Sequence, residues 1–175
     1  METSSQTQEE KRKLFNTAVT NWWREMQPAT EQDGQPNRRG ELAELRRCNT
    51  LEELLFVPRF QVLRRDLYRA GYGYVSSVAA VAGILARIKQ TTELTFPVWL
   101  AQSKSGGEPR LSELRFRRLI GYKTLEEAFP ALIRILPLAD NTAPIASLAN
   151  DIYHWNDQTR QRWTFAYYDA LAGSE

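Results

Sequence analysis

Apolar residues recur along this chain at helical spacing almost throughout. Over residues 8–27, Phe15, Val19, Trp22 and Met26 fall at i, i+4, i+7 and i+11, the stripe of an amphipathic helix. Pro28 ends it, and the polar stretch 29–37, with Gly34 and Pro36, reads as an exposed loop. A second helix over 38–48 turns Leu42 and Leu45 inward. Pro58 opens a third, with Phe60, Leu63 and Leu67 on one side, and Gly71 and Gly73 close it. The alanine-rich stretch 75–88 is apolar on nearly every side. It is the candidate central helix, because its small side chains let neighbours come close.

The second half repeats the pattern. Phe96, Pro97, Trp99 and Leu100 form a short apolar helix, followed by 104–109, the stretch expected to be most flexible. Its Gly106-Gly107 pair is no phosphate loop, since no Gly-Lys-Ser/Thr ending follows and no strand precedes it. Ser112 suits an N-cap for a helix carrying Phe116, Leu119 and Ile120, with Glu113 in the favourable first turn. Another helix spans 125–136 and stops before Pro137. Ile145, Leu148, Ile152 and Trp155 keep the period. Trp163, Tyr167 and Leu171 resume it after a break near Asn156 and Asp157. With no strand-like alternation and no repeat, the fold class is all-α, an irregular multi-helix bundle.

Its length of 175 residues suffices for one compact domain, and 42% hydrophobic with 11% aromatic content is globular. The longest apolar run, 78–86, is too short for a membrane span and is interrupted by Gly83. The N-terminus is polar, without a signal peptide, and the lone cysteine, Cys48, forms no internal disulfide. Both features lead us to expect a cytoplasmic protein.

Little here supports catalysis. One histidine, His154, and one cysteine provide no metal-ligand spacing, so neither a metal nor a cofactor is expected. Arg46 and Arg47 beside Cys48 favour a lowered thiol pKa, but no base accompanies it. Glu52-Glu53 and Glu126-Glu127 are adjacent in sequence and point about 100° apart on a helix, which suits solvation rather than acid–base pairing.

The charge layout says more than the net value of +2. Residues 34–89 carry +5 and residues 110–134 carry +3, whereas 1–33 and 135–175 are acidic. A polyanion can use both basic blocks if the fold presents them together. Within the first block Arg39, Ala43 and Arg46 share a helix face, with Arg47 beside them. Within the second, Arg115, Arg118 and Tyr122 fall at i, i+3 and i+7, flanked by Arg117 and Lys123. Planar cations with an aromatic on one stripe suit phosphates and a stacked base. Glu113 and Arg117 form an ordinary i, i+4 pair.

The order of motifs is similar to that of a known family. The Trp22-Trp23 pair is followed by Arg39-Gly40-Glu41-Leu42-Ala43-Glu44-Leu45-Arg46-Arg47 and the apolar 79–86 helix. Then come Leu111-Ser112-Glu113-Leu114-Arg115-Phe116-Arg117-Arg118-Leu119-Ile120, Asp151-Ile152-Tyr153-His154-Trp155 and the aromatic 162–168 stretch. Over about residues 14–171 this resembles the CasB family, the small subunit of the type I-E CRISPR surveillance complex called Cascade. The resemblance implies a non-enzymatic helical bundle with two lobes, about 8–90 and 96–172, with residues 1–7 a flexible tail. It implies as partners the other Cascade subunits, the guide RNA, the target DNA with its displaced strand, and a second copy of the chain. By matching motif, nucleic-acid contact falls on Arg39, Arg46, Arg47, Arg115 and Arg118, and further on Lys123 and Arg134. The polar N-terminal extension and the 29–37 loop depart from shorter relatives without touching these motifs. Two other classes stay open on the residues alone, a protein–protein adaptor and a free-standing DNA-binding regulator, though no helix-turn-helix is evident.

The purified protein is expected neither to cleave nucleic acid nor to hydrolyse nucleotides. Cleavage that survives independent preparations and vanishes with a point substitution is the contrary result.

Overall fold

The computed structural model describes residues 2–28, 37–104 and 106–173, of which residues 2–6 are described as backbone alone. Ten helices follow one another among the described residues: α1 (Glu2–Met26), α2 (Arg39–Arg47), α3 (Leu51–Leu54), α4 (Pro58–Arg69), α5 (Val75–Leu85), α6 (Phe96–Ala101), α7 (Glu113–Gly121), α8 (Leu125–Ile135), α9 (Ile145–Tyr153) and α10 (Asp157–Ala172). The all-α class holds. The nearest thing to a sheet among these residues is two isolated bridges, Gln90 to Thr142 and Ser103 to Pro109.

α5 occupies the centre, as its composition predicts. Every residue from Val78 to Leu85 is buried, and α2, α3, α4, α8 and α9 all pack on it. Gly83 marks a close approach of α8 and α3. A Cβ there would lie 2.6 Å from Phe129 Cζ on α8 and 2.9 Å from Leu54 Cδ1 on α3, so both neighbours already fill the space. The stripe Phe15, Val19, Trp22 and Met26 of α1 is buried as predicted and faces α9 and α4.

Several boundaries differ from the expectation. α1 reaches back to Glu2, so residues 2–7, expected as a flexible tail, are helical; intrahelical backbone bonds carry it where no apolar stripe exists. The expected 29–37 loop lies outside the described residues except for Asn37. The 104–109 stretch, apart from Ser105, which lies outside the described residues, is tied rather than loose. Arg110 N–H donates to Gln102 O, Gly107 N–H donates to the Ser103 hydroxyl, and Lys104 pairs with Asp140. α9 lies late in the chain yet packs on α1 and α5, while α6 and α7 pack on α10 and α7 also meets α8. The buried residues of all these helices form one continuous core.

Two short-range features carry no hydrophobic period. Thr50 with Glu53 and Thr124 with Glu127 form reciprocal capping boxes that start α3 and α8. The Glu pairs therefore serve helix starts as well as solvent. Ser112 does precede α7 in extended conformation, but its side chain makes no capping bond.

Arginine also holds the fold together. Arg46 Nε donates to Ala86 O at 2.7 Å, at the C-terminus of α5. In return Arg87 donates to Arg46 O and Cys48 O at the C-terminus of α2, and to Gly83 O. Two cations are held against two helix C-termini, whose carbonyls carry partial negative charge. Burial is the main influence on both, and it lowers their pKa values from the ordinary arginine value.

α10 is fastened from within. Trp163 Nε1 donates to Asp151 Oδ2 at 2.7 Å, and Arg162 pairs with the other Asp151 oxygen. Burial pushes the Asp151 pKa up against the pull of these two donors. Tyr167, fully buried, donates its hydroxyl to Leu111 O and stacks on Phe116 at 3.8 Å with the rings 7° from parallel. Burial raises its pKa to about 12.

Arg87→Met keeps most of the side-chain length and removes the donors to three carbonyls. Stability should fall by about 3 kcal/mol, since carbonyls left without partners each cost roughly 1–3 kcal/mol. Urea unfolding should show a lower midpoint at unchanged slope. A second outcome concerns alkaline pH. The unfolded Tyr167 phenol ionises near 10, whereas the folded one keeps its proton to about 12, so its contribution is complete below pH 10 and is lost as pH climbs through that window. Tyr167→Phe should start less stable and lose stability less steeply between pH 10 and 11, measured by chemical denaturation. Equal slopes in the two proteins would contradict this.

Candidate nucleic-acid interface

The packing of α7 decides which of its arginines face outward. Phe116 and Leu119 are buried against α10 and the core, which turns Arg115 and Arg118, three residues apart, to the exposed face. α8 lies alongside α7. Its Ala131, Arg134 and Ile135 fall at i, i+3 and i+4, with Leu138 just beyond the helix end. Between the two helices runs a groove of about 480 Å³, lined by Arg115, Arg118, Leu119, Tyr122, Ala131, Arg134, Ile135 and Leu138. Its floor is apolar, its rim carries three guanidinium groups, and no carboxylate lines it.

Tyr122 reaches this groove by a different route from the one its spacing suggests. It is not on the helix: it caps α7 in extended conformation, φ −74° and ψ 120°. Trp155 Nε1 donates to its carbonyl at 3.0 Å, and Arg160 donates to the same oxygen and to Ile120 O. Lys123, the next residue, is exposed, and its backbone N–H donates to the Glu127 carboxylate.

Pairing divides the arginines. Arg38, Arg59, Arg69, Arg110, Arg117, Arg160 and Arg162 each have a carboxylate partner. Arg117 behaves as its spacing predicts, bound to Glu113 and also to the Tyr168 hydroxyl, whose hydrogen bond is the largest influence raising its pKa. Among the described residues, the side chains of Arg39, Arg47, Arg115, Arg118, Lys123 and Arg134 make no ion pair, and all six are exposed. Such cations repel one another and are complementary to a polyanion.

The α2 block is arranged differently. Arg39 and Arg47 are exposed, but Arg46, on the stripe assigned to phosphate contact, is half-buried with its Nε bound to Ala86 O. α2 packs on α1, α4 and α5, whereas α7 packs on α8 and α10. The structure thus brings Arg115, Arg118 and Arg134 into one groove, and it leaves the α2 arginines among their own neighbours.

Cys48 is buried, and burial is the main influence raising its pKa, so Arg46 and Arg47 do not activate it. His154 caps α9 and places Nδ1 3.1 Å from Asn150 O. Asp151, a buried carboxylate that periodicity does not single out, is occupied by Trp163 and Arg162; its only sequence signal was an acid inside an apolar stripe. Among the described residues no group of three or more His, Cys, Asp or Glu side chains is placed to hold a metal ion. Nor is any described helix long and apolar enough to cross a membrane.

One chain of the crystal structure of E. coli Cascade bound to a PAM-containing dsDNA target with a 32-nt spacer, at 3.20 Å resolution, has a similar fold. The TM-score is 0.67 at 18% sequence identity, over 89% of this chain and 97% of that one. Comparison with curated protein sequences finds no match. The family model for CRISPR-associated protein Cse2 matches residues 41–168, most of the chain and both arginine motifs from Glu41 onward. The protein therefore belongs to the CRISPR-associated Cse2 family, the CasB-type small subunits that its sequence resembles.

Proposed function

We propose that this chain is a non-catalytic subunit of a Cascade complex, working in the cytoplasm. It stabilises the R-loop between guide RNA and target DNA and holds the displaced strand on its arginine surface. The observation that carries this reading is the α7–α8 groove. Three arginines without carboxylate partners meet there, in a chain where Arg59, Arg110, Arg160 and Arg162 are each paired. A protein of this size does not keep three cations together for stability, because their mutual repulsion opposes folding slightly. The E. coli structure of similar fold is a complex with a double-stranded target, which suits a nucleic-acid role for the family's surface.

The physical demands of the role are modest. Exchanging a DNA duplex for an RNA–DNA hybrid is nearly balanced in free energy, so a few backbone contacts suffice to shift it. Contacts to phosphate carry no sequence information, as a subunit serving every guide requires. Arg39, Arg47 and Lys123 add exposed charge to the same task. Arg46 contributes through the placement of α2, given its bond to Ala86 O.

The test is the double substitution Arg115→Glu, Arg118→Glu in the full chain. Both side chains are exposed and unpaired, so stability should stay within about 0.5 kcal/mol of the parent. Oligonucleotide binding should drop at least tenfold, and the slope of log affinity against log salt should flatten by about one unit for each phosphate no longer neutralised. Within the assembled complex the variant should dock while the R-loop dissociates at lower salt. A folded, docked variant with unchanged R-loop stability across the salt series would overturn the assignment.

A further inference from the structure

We propose that the α7–α8 groove receives one unstacked base of a single strand, with Arg115, Arg118 and Arg134 holding the phosphates that flank it. The inference rests on the nucleic-acid reading above and adds how the open strand is held, by a base as well as by its phosphates.

A surface that bound phosphates alone would need nothing but its cations. This one has an interior. Leu119, Ala131 and Ile135 belong to the buried core and also line the groove, so an apolar floor is reached from solvent between the arginine-bearing faces. Leu138 and Tyr122 complete its lining. Its volume, about 480 Å³, lies in the range of roughly 300–1,000 Å³ typical of small-molecule pockets, enough room for a single base.

The chemistry matches a nucleotide part by part. A base has apolar faces and prefers aromatic or aliphatic surroundings once unstacked, and its phosphates require cations at the mouth. Apart from Arg115, the lining lies in the C-terminal halves of α7 and α8 or just beyond them, where helix carbonyls carry partial negative charge and give no help to an anion. Attraction for phosphate in the groove therefore comes from side-chain cations, and none of the three lining arginines is neutralised by a carboxylate. A duplex keeps its bases stacked inside and has none to insert, so the groove selects an open strand.

Tyr122 is held ready for this contact. Its carbonyl accepts from Trp155 and Arg160, which fixes the backbone at the edge of the groove independently of any ligand. The residue is half-buried, with part of its surface left for a partner.

The test compares two strands of equal length and charge on the full chain: oligothymidylate and the same backbone without bases. About 12 nucleotides suffices, within the roughly 4–16 that a single-strand groove covers. The base-bearing strand should bind about tenfold more tightly than the abasic one. A central 2-aminopurine should become shielded from acrylamide on binding. In Tyr122→Ala the difference between the two strands should shrink towards nothing. The strand comparison on the parent protein stands by itself should that variant fail to fold. Equal affinity for both strands, with Arg115→Glu, Arg118→Glu still abolishing binding, sinks base insertion and leaves the phosphate reading intact. No measurable binding of either strand by the isolated chain, or binding untouched by the arginine substitutions, removes both.

Discussion

The burial of Val78–Leu85 of α5 on all sides is the constraint from which the rest of the architecture follows. Beyond its first turn α5 has no polar residue, so Val78–Leu85 must be covered on every side, and five other helices do so. Gly83 sets how closely, because Phe129 and Leu54 occupy the volume that any side chain there would need. Phe129 sits on α8, so the same contact that closes the core places the helix bearing Arg134. The groove on the surface is thus positioned from the inside.

Arginine does two unlike jobs in this molecule. Arg87 and Arg46 are sunk against carbonyls at the ends of α2 and α5, where the partial charge of the helix C-termini takes the place of a carboxylate. The planar fork with its several donors suits this, since one guanidinium can reach three carbonyl oxygens. Arg115, Arg118 and Arg134 instead stand at an open rim with no partner of their own. The first group lowers the free energy of the fold. The second group makes no such contact within the fold, which is what the proposed role in binding a polyanion requires.

That division fits a member of the Cse2 family acting inside an assembly. A net charge of +2 keeps general electrostatic attraction low, while local clusters remain strongly cationic. Attraction that is local, screened by salt and indifferent to base identity suits a strand whose sequence changes with every target. On the proposal above, a groove that takes a base in addition to phosphates would add a preference for open over paired DNA, the form a displaced strand presents.

The positions of every helix except the one-turn α3, the inward stripes, the centrality of α5 and the structural pairing of Glu113 with Arg117 were legible in the residues. Each depends on spacing within one element, and the 3.6-residue period exposes it. The Arg39–Ala43–Arg46 stripe illustrates the limit. Periodicity placed the three on one face but could not tell that Ala86, forty residues away, supplies an acceptor that draws Arg46 inward. Likewise the meeting of Arg134 with Arg115 and Arg118, the arrival of Tyr122 from beyond a helix end, the packing of α9 on α1, and the Asp151–Trp163–Arg162 cluster join residues whose separation carries no periodic signal. Local hydrophobic pattern settled which surface each helix must hide, because that choice is made within a few turns of chain. Packing alone settled which exposed cations share a groove, because that depends on how close the hidden faces can come.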